Sequence, residues 1–430
     1  MDSLVLDSVR ANNKIITIDF SCTGRIKKFF TENHFIAEYN VSVESVPRSI
    51  QIIPFLATAC PIVWADNAEL IIEECDETFL KSLEVIKTVL NKFYPRVNFA
   101  GRISAKKIVK TPTSDFTRSM SLYSGGIDSL ATLIRHHIEN PILFTIFGQG
   151  FAPDSVVKIS KNIAETFGLE LRTVKNNPYS ILDLPMLSTY RQKIGGDWYQ
   201  RVMHGLALVG LCAPVAYVEK VGTVFIASSA TKTFKRFLGS HPEIDNNVKW
   251  AGTRAFHDAY DLSRQQKMFL IADFLKDKTW QFQIRTCNYP NLPNNCSGCE
   301  KCSRTIVGLQ LAGINPNQYG YHVQKDTIAL IKQNLLRGNW KFDEPEKWEW
   351  EDIQNYADHG INLQNSEISE FFKWLISLDI KAIKSRTSSE KSRFKSMLWQ
   401  VGVPFLRSWP FAVHVMFRKF YKRFRRQMYI

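Results

Sequence analysis

Between residues 119 and 174 the chain alternates short apolar runs with longer segments of helical period, and this alternation restricts its architecture more than any other feature. Residues 119–123 read as a strand, 131–140 as a helix stopped by Pro141, and 142–147 as a second strand. A helix over 155–168 then ends on Gly168, and 169–174 form a third strand. Strands that alternate with helices are joined by crossovers, which build parallel βαβ units and a doubly wound sheet. After an irregular stretch the pattern resumes with an apolar helix at 202–218 and strands at 223–229 and 255–260. A further helix at 263–275 has Ser263 as its cap. The fold class expected is therefore α/β with a doubly wound parallel sheet.

The residues ahead of this region are of another kind. Segments 14–20, 34–43, 49–57 and 68–75 carry the β-branched and aromatic enrichment of strands. Residues 76–93 place Phe79, Leu80, Leu83, Ile86, Val89 and Leu90 at helical spacing behind Asp76, a suitable N-cap. A small α+β domain is expected over 1–110, separated by the polar run KTPTSDFTRS from an α/β domain at 118–315. A helical satellite carrying Trp340, Trp348 and Trp350 is expected at 316–380, and a basic extension at 381–430.

Composition excludes some classes. With 45% hydrophobic and 22% charged residues the chain fits a soluble globular protein. Its longest apolar segment, 202–218, contains His204 and Pro214 and is short for a membrane span, so a buried core helix is expected. Met1-Asp2-Ser3 opens no secretory signal, and the expected compartment is the cytoplasm. The net charge of +14 is unevenly spread: residues 381–430 hold 13 Lys or Arg against Glu390 alone, leaving about +2 for everything before them. A body so near neutrality is not a nucleic-acid-binding surface throughout.

Ser124-Gly125-Gly126-Ile127-Asp128-Ser129 lies between the first strand and the first helix of the alternating region. A glycine-rich turn with a capping aspartate is the plainest reading. In open α/β sheets, however, ligands sit at the carboxyl ends of strands, where a helix N-terminus offers free N–H groups. Gly125 and Gly126 let the backbone approach a phosphate, Ser124 and Ser129 supply hydroxyls, and Asp128 suits an accompanying Mg²⁺. The hexapeptide resembles the pyrophosphate loop of the PP-loop ATP pyrophosphatases, whose fold is Rossmann-like. That resemblance implies that ATP adenylates a carbonyl or carboxylate oxygen and that pyrophosphate is released. The lysine of a P-loop is missing.

Cys287, Cys296, Cys299 and Cys302 follow at C-x8-C-x2-C-x2-C spacing. Tight turns between them can aim four thiolates at one point, which suits a closed tetrahedral Zn²⁺ site; an iron–sulfur cluster is the alternative. Cys22, Cys60, Cys75 and Cys212 lie in apolar runs and read as buried free thiols. The loop, the four cysteines and the helix beginning Cys302-Ser303-Arg304-Thr305 together resemble the 7-cyano-7-deazaguanine synthases, over roughly residues 119–312. The resemblance implies a structural zinc and a carboxylate activated by ATP for attack by ammonia. It also implies phosphate contacts from Arg264 or Lys267, with Asp128 and Ser129 in the catalytic set. Residues 226–247 lack the Tyr-Pro-Asp-Cys segment of that family, so the activation chemistry carries over better than the substrate.

Other signals are weaker. His204 reads as a core histidine near the expected cleft. Lys232 and His241 follow a strand end within reach of phosphate or substrate, and His136-His137 is given no role. Three function classes follow: a small-molecule adenylating synthase; a relative acting on a protein terminus or nucleic acid in a bacterial defence or glycan-related gene cluster; and a non-catalytic nucleotide-binding module. A homodimer is compatible with each. The extension carries Trp399, Phe405, Trp409, Phe411, Phe417, Phe420 and Tyr421 ahead of or among its last basic residues. Such a segment is expected on an anionic membrane surface, with RNA or a protein partner as alternatives. Truncation before Lys395 is expected to leave ATP chemistry intact and remove salt-sensitive binding to anionic liposomes; a full-length protein that ignores such liposomes but binds RNA refutes the membrane reading.

Overall fold

A computed structural model describes residues 2–112, 115–148, 153–287, 289, 292, 294–358 and 366–383, with Val413 and Met416 beyond them. In chain order the elements of the first half are β1 (Ser3–Asn12), β2 (Ile15–Thr23), β3 (His34–Tyr39), α1 (Ile53–Ala65), β4 (Glu69–Asp76), α2 (Glu77–Phe93), β5 (Arg102–Val109), β6 (Arg118–Leu122), α3 (Ile127–His136), β7 (Ile142–Gly148), α4 (Ser155–Phe167) and β8 (Leu171–Asn176). They are followed by α5 (His204–Val218), β9 (Val221–Ala227), β10 (Lys249–Trp250), β11 (Thr253–Asp258), α6 (Arg264–Leu275), α7 (Glu300–Leu311), α8 (Thr327–Arg337), α9 (Glu344–Asp358) and α10 (Ser366–Ile376).

The strands form one sheet in the order 10-11-9-6-7-8-3-2-1-4-5. Strands β11, β9, β6, β7 and β8 are parallel, as are β1, β4 and β5. An antiparallel section, β8-β3-β2-β1, joins the two blocks, and β10 closes one edge. The protein is thus α/β with a mostly parallel sheet. Both faces are covered: Ile142, Phe144 and Ile146 of β7 belong to the hydrophobic cluster that contains α1 and α5, while Leu143 belongs to the cluster of α3, α6 and α7. A strand buried on both faces reads as a continuous apolar run, which is how β7 announces itself in sequence.

Local chemistry explains most boundaries. Asp76 accepts a hydrogen bond from the Phe79 amide and starts α2. Gly168, with φ of 68°, closes α4 in the left-handed conformation. Ser263 and Gln266 form a reciprocal capping box at the start of α6. One expectation fails: residues 49–57 are helical, and α1 follows through Ala65. Every residue of α1 from Ile53 to Trp64 is buried, so the helix has no polar face to reveal its period, and its β-branched residues imitate a strand. Strands β1 and β5, mixed in composition, are additional to those the sequence pattern indicates.

The first 110 residues do not form a separate sheet, because β3 pairs with β8 and sets Glu38 opposite Lys175. The apolar stretch Tyr199–Val218 is long and apolar enough to cross a membrane by composition, but 72% of its apolar 18-residue window is buried inside the protein. It enters through a π-helical turn at Tyr199–Met203 and carries Pro214 within α5. Helices α8, α9 and α10 pack onto the α6–α7 side, with Trp350 fully buried and Trp340 stacked 6.4 Å from it. The expectations for the extension beyond residue 383 lie outside the described residues, Val413 and Met416 excepted.

Candidate active site and metal centre

Strand β6 has β7 on one side and β9 on the other, and the chain leaves it towards β7 and β8 before crossing back to β9. The crevice of an open α/β sheet forms at such a reversal, outside the carboxyl ends of the strands. The Ser124–Ser129 loop occupies that position. Gly125 has φ of +82°, and its carbonyl accepts a hydrogen bond of 2.7 Å from the Arg285 amide. A side chain there would be strained by its backbone and would meet Ile159 Cγ2 at 3.2 Å. Gly126 stands at the N-cap of α3 with no side chain capping the helix. The buried Ser129 hydroxyl donates to the Gly126 carbonyl at 3.0 Å, while Ser124 is exposed. Ile127 is buried beneath the loop.

Asp128 is the hub. Its Oδ2 accepts a 2.7 Å bond from Arg264 Nη2 and its Oδ1 one of 3.0 Å from Lys267 Nζ. Lys267, 2% exposed, also donates to the Ser228 carbonyl at the end of β9, 2.5 Å away. Burial opposes the Asp128 charge, but the adjacent Arg264 and Lys267 outweigh it and hold the carboxyl down to about 2. The sequence places Arg264 and Lys267 one turn apart on α6; the structure puts both on Asp128, beside the Gly loop.

A second layer of ions lies behind them. Arg264 Nε is 3.2 Å from Glu349 Oε2, and Arg304 pairs with the same carboxylate. Arg304 also binds Glu300 through two nitrogens, at 2.7 and 3.3 Å, and Glu300 accepts from the Trp350 indole at 2.9 Å. Burial and the charges of Arg264 and Arg304 bring the Lys301 amine down to about 8. The cleft above Asp128 is walled by Thr231 and Phe234 on one side and Trp348 and Glu349 on the other, with Arg236 among its linings. Phe234 and Trp348 stack across it at 5.3 Å and 19°.

Not every expected residue converges here. The Lys232 side chain is exposed, and its amide binds the Tyr260 carbonyl at 3.0 Å, outside the cleft lining. His204 starts α5, and burial pushes its imidazole down against the opposing pull of the Asp245 carboxylate. His241 caps a short turn by accepting from the Glu243 amide. The sequence missed Trp348 and Glu349 as cleft residues. Their tryptophan-rich segment was visible only as a packing unit, and nothing local in it points to Asp128.

The four cysteine sulfurs lie within 4.8 Å of one another. Cys296 and Cys302 are separated by 3.9 Å, close to the roughly 3.8 Å between two sulfurs of a tetrahedral site with Zn–S bonds of about 2.3 Å. Backbone amides already point at the sulfurs: Cys299 N–H at Cys296 over 3.2 Å and Tyr289 N–H at Cys287 over 3.4 Å. Such donors stabilise thiolates. Two of the thiols resist ionisation: the neighbouring Cys299 thiol pushes Cys302 up, with burial adding to it, and burial pushes Cys296 up. The cluster therefore fits a metal ion such as zinc. The other four cysteines carry no bridge; Cys60, Cys75 and Cys212 are buried and Cys22 is half-buried.

No family model matches this sequence, and comparison with curated proteins and with solved structures finds no match.

Proposed function

We propose that the protein is an ATP-dependent adenylating synthase of the PP-loop type, related in chemistry to the 7-cyano-7-deazaguanine synthases. The observation that carries this reading is the Ser124–Ser129 loop at the sheet reversal, with Arg264 and Lys267 gathered beside it on Asp128. The parallel block 8-7-6-9-11, a 3-2-1-4-5 order, also supports it.

The chemistry proceeds in two displacements. An acceptor carboxylate oxygen attacks the α-phosphorus of ATP; the bond to the bridging oxygen breaks and pyrophosphate leaves with that electron pair. Ammonia or an amine then attacks the acyl carbon, AMP departs, a proton is lost from nitrogen, and a C–N bond remains. Positive charge beside the departing pyrophosphate lowers the barrier of the first step, and Lys267 and Arg264 supply it from preorganised positions. Gly125 and Gly126 let the phosphate chain approach the backbone. Asp128 aims the two cations. Both of its oxygens already carry a cation, so as arranged they do not fit Mg²⁺. Zinc on the four cysteines would be closed to substrate and would fix the start of α7, from which Arg304 projects.

Removing the Lys267 ammonium is expected to weaken ATP binding by about ten- to a hundredfold, the scale of a buried charge-assisted contact of roughly 1.5–3 kcal/mol. Calorimetric titration of ATP into the protein and into Lys267→Ala measures it. Equal affinities would falsify the assignment.

A further inference from the structure

Glu349 comes from α9, outside the α/β core, yet its carboxylate sits on Arg264, which lines the cleft, and on Arg304, buried behind it. Each cation also has another carboxylate. Arg264 already has Asp128, and Arg304 already has both oxygens of Glu300. The Glu349 side chain is only 18% exposed, so the third carboxylate is held in place rather than solvated. Beside it, Trp348 closes over Phe234. The cavity volume of the cleft is about 20 Å³, room for a water molecule or two as it stands. An arrangement of cations filled by the chain's own carboxylate, under an aromatic cover, describes an oxyanion site in its closed state.

We propose that Glu349 is an internal stand-in for a phosphate oxyanion. Arg264 and Arg304 form an anion subsite; a pyrophosphate group takes it by displacing the Glu349 carboxylate and parting Trp348 from Phe234. This deepens the ATP reading above and rests on it. The movement is confined to the first turns of α9. Trp350 and Ile353 are buried, Trp350 is tied to Glu300, and Asp352 accepts from the Gln265 amide at 3.3 Å, so the rest of the helix stays seated. The protein's own carboxylate and the ligand compete for the same guanidinium groups. The apparent affinity for the anion is then its intrinsic affinity reduced by the fraction of molecules in which the subsite is open.

The test is calorimetric titration of inorganic pyrophosphate and of ATP into the full-length wild type, Glu349→Gln and Trp348→Ala. Glu349→Gln is expected to bind pyrophosphate at least tenfold more tightly than wild type, and Trp348→Ala severalfold more tightly. Pyrophosphate should also change the tryptophan fluorescence of wild type, and Trp348→Ala should lose most of that change. A Glu349 that merely props the fold gives the opposite sign: weaker binding and a lower melting temperature. If wild type and both variants bind ATP and pyrophosphate with equal affinity, the gate is refuted and the ATP site stands. If none of the three binds either ligand, both readings fall.

Discussion

Chelation of the metal, or Cys302→Ser, is expected to destabilise the protein by on the order of 4 kcal/mol, with metal analysis of the untreated protein returning one zinc per chain. The size follows from where the cluster sits. Cys302 is fully buried and Cys287 nearly so, both packed with Ile284, Ile306 and Val307 in the cluster beneath α6 and α7. Four thiolates brought this close in apolar surroundings repel one another, and only a cation makes their proximity favourable. Losing it would loosen the start of α7, and with it the alignment of Arg304 on Glu300. Urea unfolding of metal-loaded and chelated protein gives the difference. Iron in the purified protein, or no metal in protein never exposed to chelator, overturns the assignment.

The second large effect belongs to Asp128→Asn. It leaves Arg264 and the nearly inaccessible Lys267 facing each other without their shared carboxylate, and removing one partner of such a buried pair costs about 3 kcal/mol. Stability and pyrophosphate release should fall together, so this is not a silent substitution in the folded state. The pH dependence gives an independent check. The folded carboxyl is held at about 2, below the ordinary aspartate value near 3.8, so its contribution is present above about pH 4 and is lost as pH falls through 2. A shift of that size corresponds to about 2 kcal/mol. Wild type should therefore lose more stability than Asp128→Asn between pH 4 and 2; parallel curves would show that the ion cluster does not stabilise the fold.

What the sequence disclosed was what it holds contiguously. The glycine loop, the Asp76 and Ser263 caps, the Gly168 stop and the run of cysteines each act within a few residues, and each stands in the structure where its spacing indicates. Glu349 and Trp348 were not legible because their partners, Arg264, Arg304 and Phe234, are brought to them only by packing of α9 on α6 and α7. Helix α1 was misread for a related reason. A segment buried on all sides carries no periodic polar face, so the tertiary environment that makes it a helix leaves no trace in its pattern. Lys232 stands apart for a different reason: position in sequence puts it past a strand end, and its side chain is exposed outside the cleft lining.

The antiparallel section β8-β3 has a consequence for the nascent chain. Strand β3 is complete at Tyr39, but its partner β8 ends at Asn176. At synthesis rates of about 5–20 residues per second, β3 waits on the order of ten seconds with one edge bare. An unpaired edge is a template for pairing with another chain, and charges along it are a common defence. Glu38 stands on that edge and later faces Lys175, so the same carboxylate first deters a wrong neighbour and then helps fix the register of the right one.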